Sequence, residues 1–180
     1  MSDAGDFVDA ALRLEATWQR AIDHETQIGT DLQFYGTSVG AVRGTIRDLG
    51  NRYPWLGHDE ITTVSSELWA VPVFERRLAA IVLLQTHVRL LDNSDLTRLE
   101  GFLRDARTPA LADPLASEVI LPLVEALDAP RRSRANVAVE RWAAESNPWL
   151  RRAAQQLGGP ARHSAAQPSQ SDPDSRLGDA

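Results

Sequence analysis

A chain of 180 residues with no cysteine is long enough for one domain of about 150 residues with a substantial core, and it excludes disulfides, thiolate metal sites and a catalytic thiol. All 19 basic residues are arginine, and a formal charge of −6 speaks against indiscriminate binding to nucleic acid. The stretch from Met1 to Asp9 carries aspartates and no base, the wrong charge for a secretory leader, and the apolar window from Leu78 to Leu84 is far too short to span a bilayer; a cytoplasmic protein is expected.

From Asp6 to about Glu25, apolar residues Phe7, Ala10, Ala11, Leu14, Trp18, Ala21 and Ile22 recur at three- and four-residue steps, the stripe of an amphipathic helix. Gly36-Thr37-Ser38 breaks the chain, and Ser38 is placed to cap a helix bearing Val39, Val42, Ile46 and Leu49 that ends at Gly50-Asn51. After a turn at Pro54 to Gly57, Asp59 can cap a helix with Ile61, Val64, Leu68 and Trp69 on its buried side. Pro72 separates it from a helix over Val73 to Leu91, apolar nearly all round in its middle and therefore expected to lie between neighbours.

Asn93-Ser94 caps a short helix with Leu96, Leu99, Phe102 and Leu103, and Thr108-Pro109 interrupts the chain. A helix over Ala112 to Leu127 tolerates Pro114 in its first turn, and Pro130 closes it. Arg131 to Glu145 follows, then Ser146-Asn147-Pro148 supplies a cap and first-turn proline for Trp149 to Leu157. About eight helices with short connections and no strand are expected over residues 1 to 157. From 158 to 180 periodicity gives way to Pro, Ser, Gln and Asp, the composition of a disordered tail.

Three stretches are weakly similar at a spacing of one helical hairpin: Phe74-Glu75-Arg76-Arg77-Leu78-Ala79-Ala80, Leu111-Ala112-Asp113-Pro114-Leu115-Ala116-Ser117 and Trp149-Leu150-Arg151-Arg152-Ala153-Ala154-Gln155. Such a period marks stacked helix pairs, each needing a neighbour to cover its apolar face. The expected fold class is therefore all-α, an α-α superhelix of the armadillo or HEAT type. In this register Arg76, Asp113 and Arg151 are equivalent, so a carboxylate stands where the flanking repeats carry guanidinium groups. Charge is also uneven: residues 131 to 162 hold seven arginines against Glu140 and Glu145, a local basic stretch compatible with a polyanion.

Other constellations carry less. Gly36-Thr37-Ser38-Val39-Gly40 formally matches a nucleophile elbow, which requires a strand before it that is not visible here. Asp23-His24-Glu25 are neighbours on a helix, point in different directions and cannot share a metal ion. Of the tryptophans, Trp69 and Trp149 lie on apolar stripes, and Trp55, beside Pro54 in a turn, is the candidate for exposure. The cluster Arg131-Arg132-Ser133-Arg134 reads either as a solvated helix start or as an anion site.

Taken in order, Phe34-Tyr35-Gly36, Arg43, Glu67-Leu68-Trp69, Arg77-Leu78-Ala79-Ala80, Leu111-Ala112-Asp113 and Ser146-Asn147-Pro148-Trp149-Leu150-Arg151-Arg152-Ala153-Ala154 resemble the AlkD-type DNA alkylation repair enzymes over about residues 6 to 157. The resemblance implies a DNA glycosylase for positively charged N3- and N7-alkylated purines in double-stranded DNA, with no metal and no organic cofactor; a monomer is expected. It implies that Asp113 is the catalytic carboxylate and Arg152 a contact to the DNA backbone, with Arg151, Arg77 and Arg76 as further candidates for phosphate. The residue pattern alone leaves a second reading of Asp113 open, as an N-cap before Pro114. Two departures stand out: the family has an aromatic residue four positions before the aspartate, where this chain has Pro109, and it carries further repeats beyond the last motif. A non-catalytic α-solenoid that binds DNA or protein is the alternative expectation.

Overall fold

The computed structural model describes residues 1–164, with side chains to residue 158. The described residues fold into α-helices: α1 Asp3–Leu14, α2 Trp18–Ile28, α3 Val39–Arg52, α4 His58–Ala70, α5 Phe74–Thr86, α6 Leu96–Arg104, α7 Pro109–Pro114, α8 Leu121–Ala126, α9 Ala129–Ala144 and α10 Pro148–Ser164. A π-helical segment, Leu115–Ile120, joins α7 to α8 without a break. None of these helices is long and apolar enough to cross a membrane.

The helices pair in succession: α4 with α5, α6 with the π segment, and α9 with α10. The second members then pack on one another, α3 against α5, α5 against the π segment, and the π segment against α10. The three similar stretches of sequence fall at the starts of these second members, which explains why the repeat is visible at all. Their apolar residues meet the same requirement three times, burial between a helix partner and the adjoining members of the row. α5 is the centre of this row, and every residue from Phe74 to Leu84 is buried, as its apolar run requires.

Several boundaries differ from expectation, each for a local reason. The first stripe is two helices, not one, because the chain opens at Glu15 to Thr17, where the Thr17 N–H donates to the carbonyl of Gly36 at 3.2 Å. Gly36 allows this approach: its φ is +81°, and a Cβ there would lie 2.1 Å from the Thr17 carbonyl oxygen. The break rotates α2, so Trp18 stands 77% exposed instead of joining the core. α4 is capped at Gly57, whose N–H is taken by Glu60, and Asp59 lies inside the helix. α5 ends at Thr86, and a 3-10 turn over Val88–Leu90 covers the remainder of the span expected to be helical.

Asn93 and Ser94 do not cap α6 but lie in a 3-10 turn, Asn93–Asp95, that leads into it and is itself capped by Asp92, which accepts from the Ser94 N–H at 2.6 Å. Pro130 opens a helix where it was expected to close one. It lies in the first turn of α9, with Asp128 as N-cap accepting from the Arg131 N–H at 2.9 Å. Ser38 and Asn147 do cap as expected, Ser38 accepting from Ala41 and Asn147 from Trp149 and Leu150. α10 continues past Leu157 to Ser164; the rest of the expected tail, 165 to 180, lies outside the described residues.

Candidate functional site

α7 begins at the Thr108-Pro109 pair, with the Thr108 hydroxyl accepting from Ala110 and proline in the first turn. Leu111, Ala112, Leu115 and Ala116 are buried. That spacing leaves Asp113 and Ser117 on the outer face, so Asp113 is turned outward by the burial of its neighbours. Asp113 lies inside the helix and is not its cap.

Pro114 follows at once, and it cannot donate to the Ala110 carbonyl four residues back; Pro122 repeats the defect on the far side of the π segment. Between these two prolines the helix widens, and the Leu121 N–H reaches back five residues to Ala116. Segments of this kind disturb the ordinary register and are common at functional sites. The Ser117 hydroxyl bonds the Asp113 carbonyl at 2.9 Å and helps secure the turn beneath the carboxylate.

α10 approaches α7 from the other side. Leu150, Ala153, Ala154 and Leu157 are buried, and Arg152 and Gln156, four residues apart, emerge on one face toward Asp113. Arg152 grips the carboxylate with two bonds, Nε to Oδ1 at 2.5 Å and Nη2 to Oδ2 at 2.7 Å. Gln156 Nε2 donates to Oδ1 at 2.7 Å. The site stays accessible, with side-chain exposures of 34% for Asp113 and 45% for Arg152. The Arg152 guanidinium holds the Asp113 carboxyl below the usual carboxylate range, against a partial burial that pushes it upward, and the Gln156 bond adds to the lowering. Asp113 is therefore an anion at neutral pH.

Other predicted site residues lie elsewhere. Arg76 and Arg77 are 3% and 1% exposed and cannot serve as phosphate contacts from that position. Arg76 pairs with Asp9 at 2.7 Å, and the same carboxylate oxygen receives the Tyr35 hydroxyl. Arg77 bonds both the carbonyl and the carboxylate of Asp105 and lies over the Trp69 ring. Arg151 is at the surface but donates to the Glu145 and Ser146 carbonyls just ahead of its own helix. The equivalence of Arg76, Asp113 and Arg151 thus holds in sequence and fails in space. Arg76 lies on a helix buried all round, whereas Asp113 and Arg151 are set outward, and Arg151 is turned to the carbonyls ahead of its own helix, so the three form no common row.

Arg132, in the basic cluster, donates to the carbonyls of Val124, Glu125 and Leu127 and so caps the end of α8. His24 packs against Phe34 and Phe74 with its Nδ1 3.5 Å from Glu75. Along the row of second members, Arg43 on α3 lies 3.7 Å from Glu118 of the π segment and 3.3 Å from Gln85 of α5. Gln156 and Glu118 were not singled out from sequence. For Gln156 the signal was present, four residues after Arg152 on the same helix; for Glu118 it was the widened turn, which no local pattern announces.

An all-α row of helix pairs, with an ionised carboxylate presented from one second member and gripped by an arginine from the next, defines a repeat-type helical protein with an open surface site. The family profile described as DNA alkylation repair enzyme matches residues 8–158, and the chain belongs to that family. No curated protein matches it significantly.

Proposed function

We propose that this chain is a DNA glycosylase that removes positively charged N3- and N7-alkylated purines from duplex DNA. The observation that carries the reading is Asp113, a solvent-accessible anion fixed on the helix row and paired with an arginine that also faces outward. An alkylated purine already carries positive charge, so the bond to C1′ breaks with its electron pair leaving on the base, which departs neutral. Positive charge then builds on the sugar, where a nearby carboxylate stabilises it. Water adds to C1′ and its proton passes to Asp113 or to solvent.

The lowered affinity of Asp113 for protons divides its two roles unequally. A carboxylate tied to a guanidinium is a poor base and a durable anion, so charge stabilisation is its first contribution. Arg152 offers further N–H groups to a phosphate, and the exposed Arg151 beside it in sequence is a second candidate contact. Phosphate drawing on Arg152 would loosen its grip on Asp113 and restore basicity where the water is needed.

Treatment of duplex DNA with a methylating agent, incubation with the protein and chromatography of the freed bases tests this directly. Release of methylated purine is expected, and a wild-type protein that frees none under conditions where a catalytic relative does so overturns the proposal. The second reading is a non-catalytic DNA- or protein-binding solenoid. It is favoured by the occupation of both Asp113 oxygens in the free protein and by Pro109 at the position where the resemblance expects an aromatic wall. That reading predicts salt-sensitive binding with no preference for damaged DNA.

A further inference from the structure

We infer that Gln156 is a positioning residue for Asp113, holding Oδ1 in place so that Oδ2 is the oxygen turned to the substrate when Arg152 engages phosphate. This rests on the reading of Asp113 as the catalytic carboxylate. The bonding pattern is asymmetric: Oδ1 accepts from both Arg152 Nε and Gln156 Nε2, whereas Oδ2 accepts from Arg152 Nη2 alone. Movement of Arg152 therefore frees Oδ2 and leaves Oδ1 tied.

The two partners also differ in setting. Arg152 is the outer one, exposed and available to a polyanion. Gln156 is the inner one, partly buried, with an Oε1 that is buried and finds no hydrogen-bond partner among the described residues. Rotating the amide would satisfy nothing, since it would set an oxygen against the carboxylate. An apolar side chain would fill this half-buried position on α10 without that unpaired acceptor. The feature the amide contributes is its donor, and Asp113 is what receives it. The downward influence of Gln156 on the Asp113 carboxyl agrees with this geometry.

Two measurements test the assignment. The first is the titration of the Asp113 side-chain carboxyl by carbon-detected NMR in Arg152→Met, where Gln156 is the remaining partner. Adding Gln156→Met, which keeps the shape and removes the donor, is expected to raise the midpoint by about one pH unit. The second is excision of methylated purine by otherwise wild-type protein. There Gln156→Met is expected to lower kcat about tenfold with KM little changed, and to move the acidic limb of the pH profile upward. An Asp113 midpoint indifferent to Gln156→Met overturns the inference even if the wild type is an active glycosylase. A wild type that excises nothing overturns the catalytic reading on which the positioning role rests, while a shifted midpoint would still establish the hydrogen bond.

Discussion

The carboxylate of Glu75, fully buried at the start of α5, lies 2.8 Å from the backbone nitrogen of Gly36 and also accepts the N–H groups of Tyr35 and Thr37. One side chain thereby satisfies three successive donors in a loop that has no helical partners of its own. The loop in turn fixes where α2 starts and how α3 enters the row.

Replacing Glu75 by glutamine keeps one oxygen and sets an NH2 group against a backbone donor. The loss is expected to be about 2 kcal/mol or more, the cost of leaving buried donors unpaired. Gly36→Ala attacks the same junction from the other side, since a Cβ would meet the Thr17 carbonyl at 2.1 Å with φ at +81°. Left-handed strain alone costs about 1–3 kcal/mol, so a comparable or larger loss is expected. Urea unfolding of both variants checks this, and a midpoint unchanged in either one would refute the role assigned to the junction.

Arg77 tests whether the resemblance names contact residues or structural ones. Its guanidinium bonds the Trp69 carbonyl at 3.2 Å as well as Asp105, and the ring of Trp69 stacks on Phe102 with centroids 4.6 Å apart. A lysine cannot reproduce this planar set of donors. Arg77→Lys is expected to destabilise the fold by about 1–3 kcal/mol, the cost of leaving the Trp69 and Asp105 carbonyls without their donors at a buried position. Once folded, the variant is expected to retain any salt dependence of DNA binding, because Arg77 is buried against Trp69 and Asp105. A reduced salt slope with unchanged stability would reverse this assignment.

The same residues show what can be read from a chain before its structure. The buried run Leu78 to Leu84, the Ser38 cap and the Asn147-Pro148 start are local patterns, and local patterns of this kind are legible. The burial of Arg76 and Arg77 is not, because their partners Asp9 and Asp105 are distant in sequence and an arginine in a helical repeat looks the same whether it faces solvent or the core. The break at Glu15 to Thr17 is invisible for a related reason: a tertiary contact with Gly36 overrides a continuous amphipathic stripe. For Asp113 the chain offered two readings, cap or surface carboxylate. The phase of Leu111 and Leu115 decides between them only once α7 is seen to begin at Pro109.

His58 supplies a pH dependence with a definite sign. Its Nδ1 lies 2.9 Å from Asp59 and its Nε2 3.0 Å from Asp95, a buried residue at the entrance to α6. Bonding to Asp59 and then to Asp95 raises the imidazole above its ordinary value of 6.5. A raised folded-state value means that the protonated ring favours the folded chain. The stabilisation is fully present below about pH 6.5 and fades as pH rises through the higher folded value. The gap in urea midpoint between wild type and His58→Gln should accordingly be wider at about pH 5.5 than at about pH 8.5. A gap that is flat or widens with pH would contradict the bridge between α4 and α6.

Asp113 and Arg152 separate chemistry from binding because each can be removed from the surface without opening the core. Asp113→Asn keeps the size of the side chain and an oxygen for Gln156, but removes the charge that the proposed mechanism sets against the sugar. Excision of methylated purine is expected to fall by about two to three orders of magnitude, while duplex affinity holds or rises as Arg152 is released from its carboxylate. Arg152→Met should weaken binding to damaged and undamaged duplex alike and reduce the slope of log affinity against log salt by about one, the signature of one lost phosphate contact. Gel shifts across a salt series, run beside the excision assay, distinguish the two. If Asp113→Asn leaves excision intact, the carboxylate is not the catalytic group. If Arg152→Met leaves the salt slope intact, its place at the surface serves Asp113 alone.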